Sequence, residues 1–371
     1  MPISIEVRTL APRPGQVNDS FTMCLKRRHA IAIAVAVMVG GGVFAGSAVS
    51  AAHLSASRKP IRVPAMGRII PQRLPPFIAY DDGTGIFLTK PDGSESHQVG
   101  PVLGPDAVWA PPTMPSWSPR ATRILYQVNC TIWVMRPDGS RQRLLVRARG
   151  VGGCSADSPR WSPNGKQIVY TGTGPLTAAP FIRIANADGS QDHLVDNTAF
   201  AQSASFSPDG RYIIFVEDDA QTYHPRIYVI RPNGTGFHRI TPRRQRAQDP
   251  SWSPDGTHII YICDFRKFPL PPRRPIPAGP YRGYVVASPR YVLRPQGICE
   301  ISRTHPKPRT LFSLPSGSSG SVSNTVWSAD GKKILFLLYD PNGSSGLALM
   351  RSSGGTPVVI PNTDYSLDPD W

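Results

Sequence analysis

Pro115-Ser116-Trp117-Ser118-Pro119-Arg120 is the first appearance of a phrase that the chain writes repeatedly. It returns as Pro159-Arg160-Trp161-Ser162-Pro163-Asn164-Gly165 and as Ala204-Ser205-Phe206-Ser207-Pro208-Asp209-Gly210. It returns again as Pro250-Ser251-Trp252-Ser253-Pro254-Asp255-Gly256 and as Thr325-Val326-Trp327-Ser328-Ala329-Asp330-Gly331. A last fragment, Asp368-Pro369-Asp370-Trp371, stops at the aromatic. The aromatics are spaced by 44, 45, 46, 75 and 44 residues. A sequence period near this length marks a repeat architecture.

Each unit has one internal order. The Ser-Pro-Asp-Gly element is a turn: proline presets φ, Asp or Asn tolerates the next position, and glycine accepts positive φ. An apolar strand follows, such as Ile168-Val169-Tyr170 or Ile259-Ile260-Tyr261-Ile262. A second strand, such as Ile132-Trp133-Val134-Met135, leads to a second turn, such as Arg136-Pro137-Asp138-Gly139, and then to a final strand. The strands are β-branched and aromatic and bounded by turn residues. Four short strands at this period make one blade of a β-propeller, an all-β fold of antiparallel four-stranded blades.

The count is six. Phe77-Ile78-Ala79-Tyr80, Ile86-Phe87-Leu88 and Lys90-Pro91-Asp92-Gly93 supply the second strand, third strand and second turn of a unit that lacks its first strand. The residues ending at Trp371 supply a first strand with no unit after it. The reading is one blade shared by the two ends, closed by the C-terminal strand on the N-terminal blade, which leaves no open sheet edge. Numbered from this shared blade, blades 2 to 6 begin near 115, 159, 204, 250 and 325. The six aromatics, Trp117, Trp161, Phe206, Trp252, Trp327 and Trp371, occupy one slot and are read as inter-blade core.

The domain reading is an N-terminal region over 1–51, a linker over 52–76 and the propeller over 77–371. Lys26-Arg27-Arg28 precede an uncharged run from Ala30 to Ala52, and Val49-Ser50-Ala51 supplies small residues for cleavage after Ala51. The same run is long enough to anchor the chain in a membrane if uncleaved, its basic flank inside. Met23 reads as the more natural start. The expected location is therefore exported: periplasm, cell envelope or extracellular, with the membrane contacted only through this segment.

Blade 5 breaks the period. Between its second and third strands lies an insert holding Arg266, Lys267, Arg273, Arg274, Arg282, Arg290 and Arg294 and no acidic residue. Insertions in repeat arrays gather on one face, often the binding face. These seven residues are the expected binding set.

Four cysteines follow the apolar run. In a meandering blade the loop between strands two and three shares a face with the connector between blades. That places Cys130 near Cys154, and Cys263 beside Cys299 at the base of the insert. The expected disulfides are Cys130–Cys154 and Cys263–Cys299, with free buried thiols as the alternative; an exported chain permits either pair.

The net charge is +16. It favours an acidic partner or an anionic surface. No zinc-finger spacing, basic-region helix or aromatic-basic RNA signature accompanies it, so the reading does not include nucleic acid. There is no Gly-x-Ser-x-Gly, no His-Glu-x-x-His and no phosphate loop.

The pattern Trp-Ser-Pro-Asp-Gly-x-x-Ile-x-Phe/Tyr followed by Ile-Tyr-Val-x-x-Pro-Asp-Gly resembles the WD-like repeat of the TolB family, over about residues 77–371. The resemblance implies a six-bladed propeller and, since TolB joins a cell-envelope complex, a protein-binding role. In TolB a mixed α/β domain precedes the propeller, and residues 52–76 do not match it. The same repeat precedes the hydrolase domain of prolyl-oligopeptidase relatives. Propeller hydrolases of six blades hold calcium near the axis through acidic and amide oxygens, which makes Glu217 and Asp218 the candidate ligands here. The expected function is a non-catalytic protein-binding scaffold of the cell envelope without cofactor. The alternatives are a calcium-dependent hydrolase or lyase and a binder of anionic polymer.

Overall fold

A computed structural model describes residues 20–27, 30–39, 42–43, 67–69, 75–100, 111–147, 156–173, 179–196, 198–218, 224–242, 245–264, 296–302, 307–315, 318–339, 346–364 and 367–371. The chain divides into two units, Met1–Arg58 and Lys59–Trp371. In the first, strands Ser20–Arg27, Ala30–Val39 and Gly42–Val43 form an antiparallel sheet, so part of the apolar run is extended in this structure. No helix among the described residues is long and apolar enough to cross a membrane.

The second unit contains six four-stranded antiparallel sheets and no helix among its described residues. Blade 5 shows the plan: Ala247–Trp252, His258–Asp264, Gln296–Ser302 and Arg309–Ser313 pair in sequence order. Blade 1 is built from both ends of the propeller. Leu367–Asp370 pairs with Ile78–Asp81, followed by Ile86–Thr89 and His97–Val99. The expected closure is present.

Two sets of turns lie on one face. Gly165, Gly210, Gly256 and Gly331 have φ of 67°, 71°, 65° and 70°, and each amide donates back to the carbonyl of the turn's serine at 2.8 Å. Each serine is buried and ties the turn to the next strand. Ser253 Oγ donates to Asp255 Oδ1 at 2.6 Å and accepts from the His258 amide at 2.8 Å. Ser328 and Ser207 repeat this geometry on Asp330 and Asp209. The opposite face carries the blade connectors and the loops between second and third strands.

The core lies between blades. One cluster joins Ile214, Ile227 and Val229 of blade 4 to Trp252, Ile259 and Tyr261 of blade 5. The cluster of Ile78 and Tyr80 with Leu335, Leu347 and Ile360 joins blade 1 to blade 6, and Trp371 packs on it. Second strands are apolar on both faces because each blade has a neighbour on each side. Each fully buried Ile or Phe contributes on the order of 1.5–3 kcal/mol.

Cys263 and Cys299 are joined by a disulfide across the second and third strands of blade 5. Cys130 is also disulfide-bonded, and its expected partner Cys154 lies outside the described residues.

Candidate functional site

Each first strand is interrupted at one place. Three residues before the aromatic the backbone turns left-handed: Met114 (φ 54°), Ser158 (51°), Ser203 (52°), Asp249 (48°), Asn324 (54°) and Asp368 (41°). The pairing register shifts at the same place in all six blades, the signature of a β-bulge. A bulge re-aims the side chains beside it. All six left-handed residues line one cavity of about 590 Å³ on the propeller axis.

The cavity is acidic in a basic protein. Asp157, Asp249, Asp368 and Asp370 line it, and Arg160 is the one Lys or Arg among its lining residues. The carboxylates are braced across blades. Asp249 Oδ2 accepts the Asn324 amide at 2.9 Å, and Asn324 Nδ2 donates to Asp368 Oδ1 at 2.6 Å. Asp370 Oδ2 accepts the Trp117 amide at 2.6 Å. Asp81, fully buried on the second strand of blade 1, accepts the Met114 amide at 3.2 Å and the Gly83 amide at 3.3 Å. The ring is thus stitched from blade 5 through blade 1 to blade 2 by side chains that also border the cavity.

Burial raises these carboxyls, because the charged form loses solvation. Asp81 is pushed up to about 6 by burial first and by the Asp368 charge second, against the Met114 and Gly83 amides. Burial also raises Asp249, Asp368 and Asp370; Arg160 opposes the rise at each, and the Asp157 and Asp249 charges add to it at Asp368. The site holds net negative charge and draws cations or donors.

Of the sequence candidates, the slot aromatics do two jobs. Trp117, Trp161, Phe206, Trp252 and Trp327 are buried between blades, with Trp371 partly so, and all six also line the cavity. Glu217 and Asp218 end the second strand of blade 4 and are not among the cavity's lining residues. Among the described residues no three His, Cys, Asp or Glu stand close enough together to hold a metal ion. Arg266, Lys267, Arg273, Arg274, Arg282, Arg290 and Arg294 lie outside the described residues. The ends of their insert, Asp264 and Gln296, are a strand pair on the connector face.

The axial aspartates escaped sequence reading because Asp249 and Asp368 sit in what looked like plain strand, and Asp81 in an apolar one. A signal existed. The aromatic and the turn repeat with little change, while the slot three before the aromatic runs Met, Ser, Ser, Asp, Asn, Asp.

The family model for the TolB beta propeller domain matches residues 108–267. TolB from Acinetobacter baumannii is similar in fold, with a TM-score of 0.56 and 15% identity over 94% of this chain and 81% of that one. A putative TolB from Agrobacterium tumefaciens gives 0.50 and 18% over 73% of this chain and 89% of that one. A chain of a nidogen/laminin complex gives 0.53 and 10% over 79% and 97%. No curated protein matches the sequence. Six blades in a ring, the Ser-Pro-Asp-Gly turns and these matches agree: the chain is a TolB-like six-bladed β-propeller.

Proposed function

We propose that this chain is a non-catalytic scaffold of the cell envelope, exported or held at the membrane by its N-terminal segment, that captures a protein partner on its connector face. The observation carrying this reading is the acidic cavity on the axis of a protein with net charge +16. Carboxylates braced by amides of neighbouring blades form a rigid acceptor surface, suited to a Lys- or Arg-bearing segment of the partner. The blade 5 insert leaves from the connector face, stapled at its base by Cys263–Cys299, and supplies basic groups beside an acidic centre. Such alternating charge favours one docking orientation. The disulfide fits an oxidising compartment. A chain of similar fold was solved in a nidogen/laminin complex, where a propeller serves protein assembly.

The test is capture from native envelope by three proteins: the full chain, a chain lacking residues 268–296, and Asp249→Asn with Asp368→Asn. Both variants should keep the full chain's melting transition and lose the captured protein. Undiminished capture by both would sink the proposal. Capture of polysaccharide that collapses steeply with salt would favour the anionic-polymer reading instead.

A further inference from the structure

The Asp of each Ser-Pro-Asp-Gly turn uses Oδ1 within its own turn. Asp255 Oδ1 accepts from Ser253 and Thr257, and Asp330 Oδ1 from Ser328 and Lys332. Asp209 of blade 4 does the same with Ser207 Oγ at 2.6 Å and the Arg211 amide at 3.1 Å. Its second oxygen, Oδ2, accepts the backbone amide of Gly67, which precedes the propeller by ten residues. Gly67 also lies flat on Arg211: a Cβ added there would come within 2.6 Å of Nε.

The chain then enters blade 1, whose first described strand residue on this face is Ile78. Blades 1 and 4 stand three apart in a ring of six, on opposite sides of the axis. Ten extended residues reach at most about 33 Å, enough to cross from one to the other. Pro75, on the way, is buried and lines the axial cavity together with the turn prolines Pro119, Pro163, Pro208 and Pro254. Those turns touch one another around the mouth. The Cβ position of Gly165 lies 3.8 Å from Pro119, that of Gly210 3.6 Å from Pro163, and that of Gly331 3.8 Å from Pro254.

We propose that the approach to the propeller is a strap across the turn-side mouth of the axial cavity, latched at Gly67 by Asp209 and seated at the axis by Pro75, so that a ligand reaches the axial carboxylates from the connector face. The anchors are the described residues Gly67–Ile69 and Pro75–Phe77 on opposite sides of one opening. The latch uses a carboxylate oxygen that no other turn contact needs, so it can open without unfolding the turn. Releasing it exposes the cavity at its second end.

Asp209→Asn isolates the latch. Asn164 holds the same turn position in blade 3, with Oδ1 accepting from Ser162 Oγ at 2.8 Å and the Lys166 amide at 2.9 Å. Asparagine therefore keeps the turn and replaces the latching oxygen with a donor. Two readouts on the full chain test the strap. Tryptic cleavage after Arg68 should accelerate about tenfold in Asp209→Asn, as expected for loss of one charge-assisted hydrogen bond. Ala329 takes the proline slot in the blade 6 turn and lines the cavity, so Ala329→Cys reports the mouth. Its labelling by a bulky thiol reagent, read by mass spectrometry, should accelerate in the same variant while the melting temperature holds. Equal cleavage in both proteins would overturn the latch. Faster cleavage with unchanged labelling would overturn the strap, since the segment would then be anchored without covering the opening. A fall in melting temperature matching that of Asp255→Asn would mark Asp209 as a turn residue only.

Discussion

Ala121 occupies the slot that glycine fills in four other blades, with φ at 52°. A left-handed residue bearing a Cβ costs roughly 1–2 kcal/mol, while glycine costs about 0.5–1 kcal/mol in chain entropy. Ala121→Gly should therefore stabilise the propeller by about 0.5–1 kcal/mol, read as a higher urea midpoint. Ser253 is the opposite case. Its hydroxyl holds Asp255 and the His258 amide while nearly fully buried. Ser253→Ala should cost about 1–2 kcal/mol by the same measurement, since both partners lose a bond. Asp81 carries a pH signature. Its folded carboxyl titrates near 6, against 3.8 when free, so the folded state binds the extra proton. Its contribution is fully present below pH 4 and is lost as pH rises through 6, an effect of about 3 kcal/mol. The melting temperature should rise between pH 7.5 and pH 5, and that rise should shrink in Asp81→Asn. An equal rise in both proteins would place the titration elsewhere.

At the scale of elements, the turns were legible and the bulges were not. Ser-Pro-Asp-Gly dictates its own geometry through local sterics and a four-residue hydrogen bond, so Gly165 and Gly256 behave as the sequence says. The bulge at Asp249 or Asp368 has no such local signal. It exists because a first strand must fit both its blade partner and a crowded axis, and that constraint is nonlocal. The same holds for Pro75, which reads as linker yet is buried at the axis. The blade 5 disulfide was legible, because strand order alone sets Cys263 near Cys299. They close a separation of 36 residues, Cα atoms 5.7 Å apart. Replacing both with serine should cost about 2–4 kcal/mol and leave the insert's base less protected from amide exchange. Unaltered exchange at Gln296–Ser302 would show that strand pairing alone holds the base.

The whole molecule stands or falls on closure. Leu367–Asp370 supplies the inner strand of blade 1, and Asp370 ties it to blade 2 through the Trp117 amide. Removing residues 367–371 bares the edge of Ile78–Asp81 and uncaps the cluster between blades 6 and 1. The expected outcome is loss of a single cooperative transition and self-association, seen by calorimetry and light scattering. A permutant joining Trp371 to Phe77 by a short linker, with new ends inside 265–295, should fold with the parent's transition. Failure of that permutant would mean that continuity through the insert matters as much as the ring.

The sequence by itself determined the fold: the period, the six blades, the shared blade and the stapled insert all follow from local turn chemistry and strand order. Only the tertiary structure decided what faces the axis. Asp81, Asp249, Asp368 and Asp370 come from three places in the chain, and no local rule brings them together. Ring closure does so, because six inner strands converge on one line and the residue at each bulge is turned toward it. The charge of that centre, opposite to the charge of the chain, is a property of the ring.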